Sequence, residues 1–337
     1  MPRRLRHCTT FFIAITALST WATAQNTPKK PQPDTPWPTK AVKLMVGFPA
    51  GSSPDLVARA MSEPLSKALG QPVIVENHPG AGGNIAADLV AKSTDHHTLG
   101  IMINGNMTIA KLLNPKTPFD PAKDLAPISL IGTAPLVLAA PASAPGTPTW
   151  NSAQEFLLAA RNAGNKWNYG TPGNGTVAHI GMEYLKVRTQ MDAVHIPYQG
   201  NPQVITAMLG GQINLSLLPP GLAMPQIRVG KLKAIGVTSV SRSPLVPELP
   251  SLTEAGVQNF QLEIWTAAAG PASLPKPVVA KLSGLFSEIA RSPEMRQKLF
   301  TQGWQVAGTS AEGLANRIKS DTHLLGGVIA MRGIKSE

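Results

Sequence analysis

Cysteine is almost absent from this 337-residue chain, whose only example is Cys8. A chain with one thiol forms no internal disulfide bond and offers no thiolate cluster for a metal. Histidine does not replace it, because the adjacent His96 and His97 point in different directions from a strand or a helix. The sequence therefore predicts neither a metal site nor a disulfide framework.

Long hydrophobic runs are also missing. The most prominent apolar run, FFIAITALSTWA, is too short for a comfortable transmembrane helix. It follows the basic segment RRLR and precedes Ala22-Thr23-Ala24, the small-residue pattern that signal peptidase recognises. The sequence predicts a signal peptide over residues 1–24, which removes Cys8, and a soluble, exported mature protein.

Signal peptidase is expected to cut the bond between Ala24 and Gln25, because the small residues follow the apolar run at the required distance. N-terminal sequencing of the exported protein should therefore begin at Gln25. A mature chain that begins elsewhere, or that retains Met1, contradicts this prediction.

Acidic residues are fewer than basic ones: 19 Asp and Glu against 30 Lys and Arg give a net charge of +11. Three of the arginines leave with the signal peptide, so the mature chain carries 11 − 3 = +8. A basic surface is compatible with an anionic ligand. It carries no basic stripe interleaved with aromatic residues, so we expect no nucleic-acid partner.

Strand and helix patterns alternate along the mature chain after a proline-rich lead. Two β-α-β blocks, which open at AVKLMVGF and at KWNYG, each continue through a Gly/Pro/Ser turn into a helix. Such alternation is typical of parallel strands with helical crossovers. The apolar segments PLVLAAPASAP and FQLEIWTAAAGPAS read as two crossings between the blocks. We therefore predict a flexible lead (25–36), one lobe from 37–138 plus 262–337, and a second lobe over 139–261.

The turn VGFPAGSSPDLVAR has the features of a helix start. Ser53 is expected as the N-cap, Pro54 as the first helical residue, and Asp55 in the first turn. Asn201 and Pro202 are expected as the N-cap and the first residue of a later helix in the same way. The unpaired N–H groups of a helix start carry partial positive charge and attract anions. The alternative is a capped helix without a ligand.

Enzyme motifs are incomplete in this chain. Neither Gly-rich turn contains the lysine of a phosphate-binding loop, GAGGNI lacks the last glycine of a dinucleotide fingerprint, and no G-x-S-x-G occurs. Ser52 or Ser53 remains a possible nucleophile only if His179 or His195 lies beside it. We predict that the protein is not an enzyme, with a secreted serine-dependent hydrolase as the alternative.

Five segments in order resemble a known family: VGFPAGSSPDLVAR, VIVENHPGAGGNIAAD, YGTPGNGTVAHI, HIPYQGNPQVITAMLGGQI and LKAIGVTSVSRSPLVPELPSLTEAG. They are similar to the successive signatures of the Bug family, the periplasmic substrate-binding proteins of tripartite tricarboxylate transporters. The similarity covers nearly all of the mature chain.

The resemblance implies an α/β fold of the two-lobe, type II periplasmic-binding kind, with a mixed, mainly parallel sheet in each lobe and two crossing strands. It implies a periplasmic monomer without a cofactor that closes on a small organic anion. The anion is a mono-, di- or tricarboxylate, an aromatic acid or, less favoured, an amino acid. The expected partners are the membrane components of a tripartite transporter. A sensor that feeds a signalling partner remains an alternative with the same fold.

The resemblance also implies that the two Gly-rich loops pinch a ligand carboxylate, mainly through backbone N–H groups and ordered waters. Packing at the hinge is the alternative role of Trp265, and support of the helix start is that of His179. The full set of candidate ligand-binding residues is Phe48, Pro49, Ala50, Gly51, Ser52, Ser53, Asp55, Gly83, Asn104, Asn106, Gly170, Thr171, Pro172, Gly173, Asn174, Gly175, Thr176, His179, Tyr198 and Trp265.

Two further expectations follow from individual residues. Gly51 is expected to need a positive φ or to lack room for a β-carbon, so its replacement should weaken binding more than loss of the Ser52 hydroxyl. Leu218 aligns with a position that is acidic or polar in many family members. An apolar residue there removes a partner for a ligand ammonium group and favours a plain or aromatic carboxylate over an amino acid.

Overall fold

The computed structural model describes residues 37–143 and 149–334. The predicted signal peptide and the flexible lead lie outside these residues. Among the helices of the described part, none is long and apolar enough to cross a membrane.

The described chain contains eleven strands and twelve helices. The strands are β1 (Val42–Val46), β2 (Val73–Asn77), β3 (Thr98–Ile103), β4 (Leu125–Pro135), β5 (Val137–Pro141), β6 (Asn168–Thr171), β7 (Val194–Pro197), β8 (Leu215–Leu218), β9 (Leu232–Val237), β10 (Glu263–Pro271) and β11 (Gln305–Val306). The helices are α1 (Ser53–Leu69), α2 (Asn84–Ala91), α3 (Asn104–Thr108), α4 (Ala110–Leu113), α5 (Pro121–Asp124), α6 (Ala153–Ala163), α7 (Val177–Thr189), α8 (Asn201–Leu209), α9 (Pro220–Arg228), α10 (Lys276–Arg291), α11 (Pro293–Thr301) and α12 (Ala311–Arg332).

Six strands form the sheet of the first lobe, in the order β11-β4-β10-β3-β1-β2. Strand β1 is parallel to both β2 and β3, as the first β-α-β block predicts. Strand β10 runs antiparallel between β3 and β4. The segment that the sequence suggested as the second crossing is therefore an interior strand of this sheet, because its Ala-rich residues pack between two neighbours.

Five strands form the sheet of the second lobe, in the order β7-β6-β8-β5-β9. Strand β6 is parallel to β7 and β8, while β5 is antiparallel to β8 and β9. The chain enters this sheet at Leu136, between β4 and β5, and leaves it after β9 to return through residues 238–262. The predicted α/β class with two mixed sheets is confirmed. The sheets are not mainly parallel, because two of the five pairings in the first and two of the four in the second are parallel. The exact lobe boundaries stay a prediction, and both lie beside these crossings.

Helix α1 shows how the sequence forms the first lobe. Its buried face includes Val57, Met61 and Leu65, each at most 1% exposed. Full burial of such a side chain stabilises the fold by about 1.5–3 kcal/mol. The helix runs on through Pro64 and ends where Gly70 adopts a left-handed conformation, with φ 68°.

Helix α12 contacts both lobes. It packs on β4 of the first lobe and on α7 of the second. Its buried residues Leu325 and Ile329 belong to the core of the second lobe, whereas Leu314 belongs to that of the first. The sequence indicated only two C-terminal amphipathic helices, which correspond to α10 and α11.

A candidate ligand cleft between the lobes

A cavity of about 40 Å³ lies between the two lobes. Its walls come from several helix starts and strand ends. The lining residues are Phe48, Ser52, Ser53, Pro54, Ile103, Leu136, Pro172, Thr176, Val177, Ala178, Asn201, Leu217, Pro219, Ile264 and Trp304.

Four helices begin at this cavity. Helices α1 and α7 contribute their first residues to the wall, as do α8, through Asn201, and α9, through its N-cap Pro219. The first N–H groups of a helix have no partner within it, and they carry the positive end of the helix dipole. Helix α9 begins with Pro219 and Pro220, which have no N–H, so it contributes its dipole, and the N–H groups come from the other three helices. The cavity is therefore electropositive, and none of the described residues that line it is cationic.

Two buried polar atoms in the wall lack a hydrogen-bond partner among the described residues. They are Ser52 Oγ and Asn201 Oδ1, in side chains whose residues are 1% and 7% exposed. An unsatisfied buried polar group costs about 1–3 kcal/mol. An acceptor of the ligand, such as a carboxylate oxygen, offers the Ser52 hydroxyl a partner, whereas Asn201 Oδ1 is itself an acceptor and requires a donor such as a hydroxyl or N–H group.

The helix caps at the cavity lie one residue away from the predicted positions. Ser52, with an extended ψ of 159°, is the N-cap of α1, and its side chain makes no capping bond. Ser53 is the first helical residue. Asn201 is likewise inside α8, whose N-cap is Gly200. The two predictions are wrong by one residue, because each proline occupies the second helical position and not the first.

Asp55 holds the first loop together and does not line the cavity. Its carboxylate accepts hydrogen bonds from Gly51 N at 2.9 Å, Arg59 Nε at 3.0 Å and Asn77 Nδ2 at 2.9 Å. Asn77 Nδ2 also donates to the Phe48 carbonyl at 2.9 Å. Burial raises the pKa of Asp55, but bonds from Arg59, Asn77 and Gly51 lower it further, so its pKa lies below the ordinary value. Arg59 is thus a structural partner of Asp55.

Gly51 lies at the exposed tip of the same loop. Its φ is +78°, and no atom lies within 4 Å of the position that a β-carbon would take. Replacement of Gly51 is therefore unfavourable because of its left-handed backbone conformation, and not because a β-carbon lacks space. Ala50 is also exposed at this tip, while Pro49 contacts the second lobe.

The loop of the second lobe is braced by histidines. Gly175 N donates to His179 Nδ1 at 3.3 Å, and Thr171 Oγ1 lies 2.6 Å from His195 Nε2. The two imidazoles stack with their centroids 4.3 Å apart. Burial and the neighbouring His179 lower the pKa of His195 to about 3, so its ring is neutral at physiological pH. Thr176 Oγ1 donates to the Gly173 carbonyl and closes the turn.

These bonds separate the histidines from the candidate nucleophile. His179 and His195 are engaged by the second loop, and Ser52 Oγ has no hydrogen-bond partner within the described residues. The serine–histidine pair that a hydrolase requires is not assembled in this arrangement.

The lobes touch at the rim of the cavity. A β-carbon placed on Gly105 would lie 2.6 Å from the Gly175 carbonyl oxygen, and one placed on Gly82 would overlap the Asn174 carbonyl. Gly82, Gly173, Asn174 and Tyr198 also line a shallow depression outside this contact. Burial raises the pKa of Tyr198, so it presents a protonated phenol there.

Five predicted residues lie inside the lobes, where they support other groups. Asn106 Nδ2 donates to the Gly82 carbonyl and to Asn84 Oδ1. Asn104 Nδ2 donates to the Glu263 carbonyl and lines a different cavity of about 300 Å³ between α7 and α12. The others are Gly83, packed against Phe48, Gly170, packed against Ile213, and Trp265.

The larger cavity beside α12 is less suited to an anion. Its charged residues are Arg317, Glu263 and Asp321. Arg317 donates to both carboxylates, at 3.0 and 2.9 Å. This group carries a net negative charge, so the cleft with the four helix starts is the better candidate.

Trp265 is a structural residue of the first lobe. It is completely buried, and its Nε1 donates to Asp321 Oδ2 at 2.6 Å. Trp265→Phe should lower the free energy of unfolding by about 1.5–3 kcal/mol, the range for a hydrogen bond to a charged group. Ligand affinity should change less than twofold.

Trp304→Phe is the matched comparison, because Trp304 is also buried but lines the cavity. It should weaken ligand binding by several-fold. Denaturant unfolding and calorimetry separate the two effects. A tenfold loss of affinity in Trp265→Phe without loss of stability would place that side chain at the ligand instead.

Several lining residues escaped the sequence reasoning. Ile103, Leu217, Ile264 and Trp304 are apolar and come from distant parts of the chain, so nothing local distinguishes them from core residues. The dipeptide Asn201-Pro202 predicted the start of α8, and Pro219-Pro220 is a local signal of the same kind at the start of α9.

Residues 57–334 match the family described as "Tripartite tricarboxylate transporter family receptor". The chain belongs to this family. The resemblance to the Bug proteins is thereby confirmed, and the match extends from the second turn of α1 to the end of the described chain.

Three solved structures are similar over almost their entire lengths. The periplasmic binding protein BugD is 28% identical, with a TM-score of 0.83, over 89% of this chain and 100% of BugD. Rhodopseudomonas palustris MatC, with bound malate, is 30% identical, with a TM-score of 0.81, over 87% and 100% of the two chains. R. palustris Rpa4515, with adipate, is 27% identical, with a TM-score of 0.84, over 89% and 99%. All three are similar to this chain in fold as well as in sequence.

Proposed function

We propose that this protein is a periplasmic solute receptor that binds a small organic carboxylate between its lobes. It then delivers the carboxylate to the membrane components of a tripartite tricarboxylate transporter. The observation that carries the proposal is the meeting of four helix N-termini at one cavity, where the buried Ser52 hydroxyl lacks a partner. Carboxylates fit such sites, because helix N–H groups donate to their oxygens and the helix dipoles favour negative charge.

The relatives support a carboxylate as the ligand class. Malate and adipate are bound to the two R. palustris proteins, which share this chain's fold over most of its length. A non-enzymatic role agrees with the engagement of His179 and His195 by the second loop. In the receptor, Ser52 therefore acts as a hydrogen-bond donor to the ligand and not as a nucleophile.

Ligand binding should bring the lobes together about the two crossings, at Leu136 and in residues 238–262. A ligand that contacts both lobes is bound more tightly by the closed state and selects it. Small-angle scattering should show a smaller radius of gyration at saturating carboxylate, with an uncharged amide of the same acid as control. An unchanged radius at saturation would contradict closure.

The function itself is tested by a thermal-shift screen over mono-, di- and tricarboxylates, aromatic acids and amino acids, with the corresponding esters assayed for hydrolysis. Stabilisation by at least one carboxylate without ester turnover supports the receptor. Turnover that disappears in Ser52→Ala would support the hydrolase instead. Capture of transporter membrane components by the liganded receptor distinguishes transport from sensing.

A further inference from the structure

The cavity wall restricts the proposed ligand further, and this inference rests on the proposed function. Among the fifteen described residues that line the cavity, none is charged. The polar groups are Ser52, Ser53, Thr176 and Asn201, together with the N–H groups of the helix starts. The wall thus combines uncharged polar groups with the positive ends of helix dipoles, which together suit a single anionic group.

The rest of the wall is apolar. Six large hydrophobic side chains complete it: Phe48, Ile103, Leu136, Leu217, Ile264 and Trp304. A second carboxylate among these groups would lose its hydration without gaining a cation, which is strongly unfavourable. An ammonium group would meet no carboxylate in the wall, and the positive helix ends would repel it; the unpaired amide oxygen of Asn201 offers it one neutral acceptor in place of a counter-charge.

Strand β8 contributes one of these apolar residues to the cavity wall. Leu217 lines the cavity, whereas Leu218 packs on the opposite side of the sheet with Val137 and Val237. Successive residues of a strand face opposite sides, so the position next to the one suggested by the sequence faces the cleft. The residue of this strand that gives a ligand ammonium group no partner is therefore Leu217 and not Leu218.

The volume limits the size of the ligand. The 40 Å³ cavity offers about three times the space of ~10–15 Å³ that one water molecule requires. We propose that the receptor selects a compact monocarboxylate with an apolar body, such as a short aliphatic acid, over dicarboxylates and amino acids. This preference differs from the malate and adipate held by the two R. palustris relatives.

Three acids with the same four-carbon chain test the inference: butyrate, succinate and 4-aminobutyrate. They differ only at the end away from the first carboxylate, which is a methyl, a carboxylate or an ammonium-bearing carbon. Calorimetry on the wild-type receptor should give butyrate a dissociation constant at least tenfold below those of the other two. Acetate, propionate and butyrate should then gain affinity by up to about fourfold for each added methylene, through burial of apolar surface.

Each outcome decides between the two proposals. Equal or tighter binding of succinate or 4-aminobutyrate overturns the monocarboxylate inference and leaves the carboxylate receptor intact. A flat acetate–propionate–butyrate series also overturns it, because the apolar wall then contributes nothing. If neither these acids nor malate, adipate, citrate and benzoate bind, the proposed function fails together with the inference.

Discussion

Gly105→Ala is expected to weaken ligand binding by roughly 5- to 150-fold while the protein stays folded. The added methyl group would lie 2.6 Å from the Gly175 carbonyl oxygen of the opposite lobe. Overpacking of this kind costs about 1–3 kcal/mol, which corresponds to that range of dissociation constants. Because the obstacle is backbone, the lobes must remain further apart, and the ligand loses contacts in one of them.

Position 105 is suited to this test because alanine is compatible with its own backbone. Gly105 lies within helix α3 and has no left-handed φ. Gly284→Ala is the control, since Gly284 is also helical and has no atom within 4 Å of an added β-carbon. That variant should bind normally and gain about 0.5–1 kcal/mol of stability. If Gly105→Ala bound the ligand as tightly as the control variant, the rim contact would have no part in closure.

Asp55→Ala should destabilise the protein by on the order of 3 kcal/mol and weaken binding at least tenfold. It removes the acceptor that Gly51 N, Arg59 and Asn77 share, and a charged acceptor is worth about 1.5–3 kcal/mol. We discount the pair with Arg59, whose side chain is half exposed. Affinity falls because the loop that brings Ser52 to the cavity is no longer held.

The effect of Asp55 should depend on pH. Its folded-state pKa is lowered, so its contribution is present above the ordinary carboxyl pKa of about 4. The contribution is lost as the pH falls through the lowered folded-state pKa. Urea unfolding at pH 7 and at progressively lower pH should therefore show the difference between wild type and Asp55→Ala shrinking in acid.

Glu63→Ala is the matched control on the same helix. Glu63 forms an i,i+4 pair with Lys67 that is exposed to solvent and screened by it, so its loss should change stability little. A loss of affinity in Asp55→Ala with stability equal to that of Glu63→Ala would mean that Asp55 contacts the ligand directly. Equal stability and equal affinity would mean that the hydrogen-bond network does not hold the loop.

The local steps of the fold were predictable because their causes lie within a few residues. The apolar run before Phe48, the Ser52–Asp55 turn and the stop at Gly70 predict a strand, a helix start and a helix end, and the structure contains all three. The same signals at Thr176 and near Asn201 predict two more helix starts. Each is a matter of backbone hydrogen bonds and side-chain periodicity, which the chain specifies locally.

Long-range pairing was not predictable in this way. Asp55 and Trp265 appeared as candidate ligand contacts, but their partners Asn77 and Asp321 lie 22 and 56 residues away. Helix α12 was missed because its residues divide between the cores of two lobes and produce no single apolar face. The partners of these residues and the packing of α12 depend on which surfaces meet after folding.

The sequence by itself determined the family, the α/β class and the helix starts that can hold an anion. Only the tertiary structure decided that four of these starts face one cavity, that Leu217 and not Leu218 lines it, and that Ile264 and Trp304 complete its wall. The physical reason is that a helix start is encoded by the residues around it. The meeting of the four helix starts at one cavity depends instead on the order of strands in the two sheets and on where the chain crosses between them.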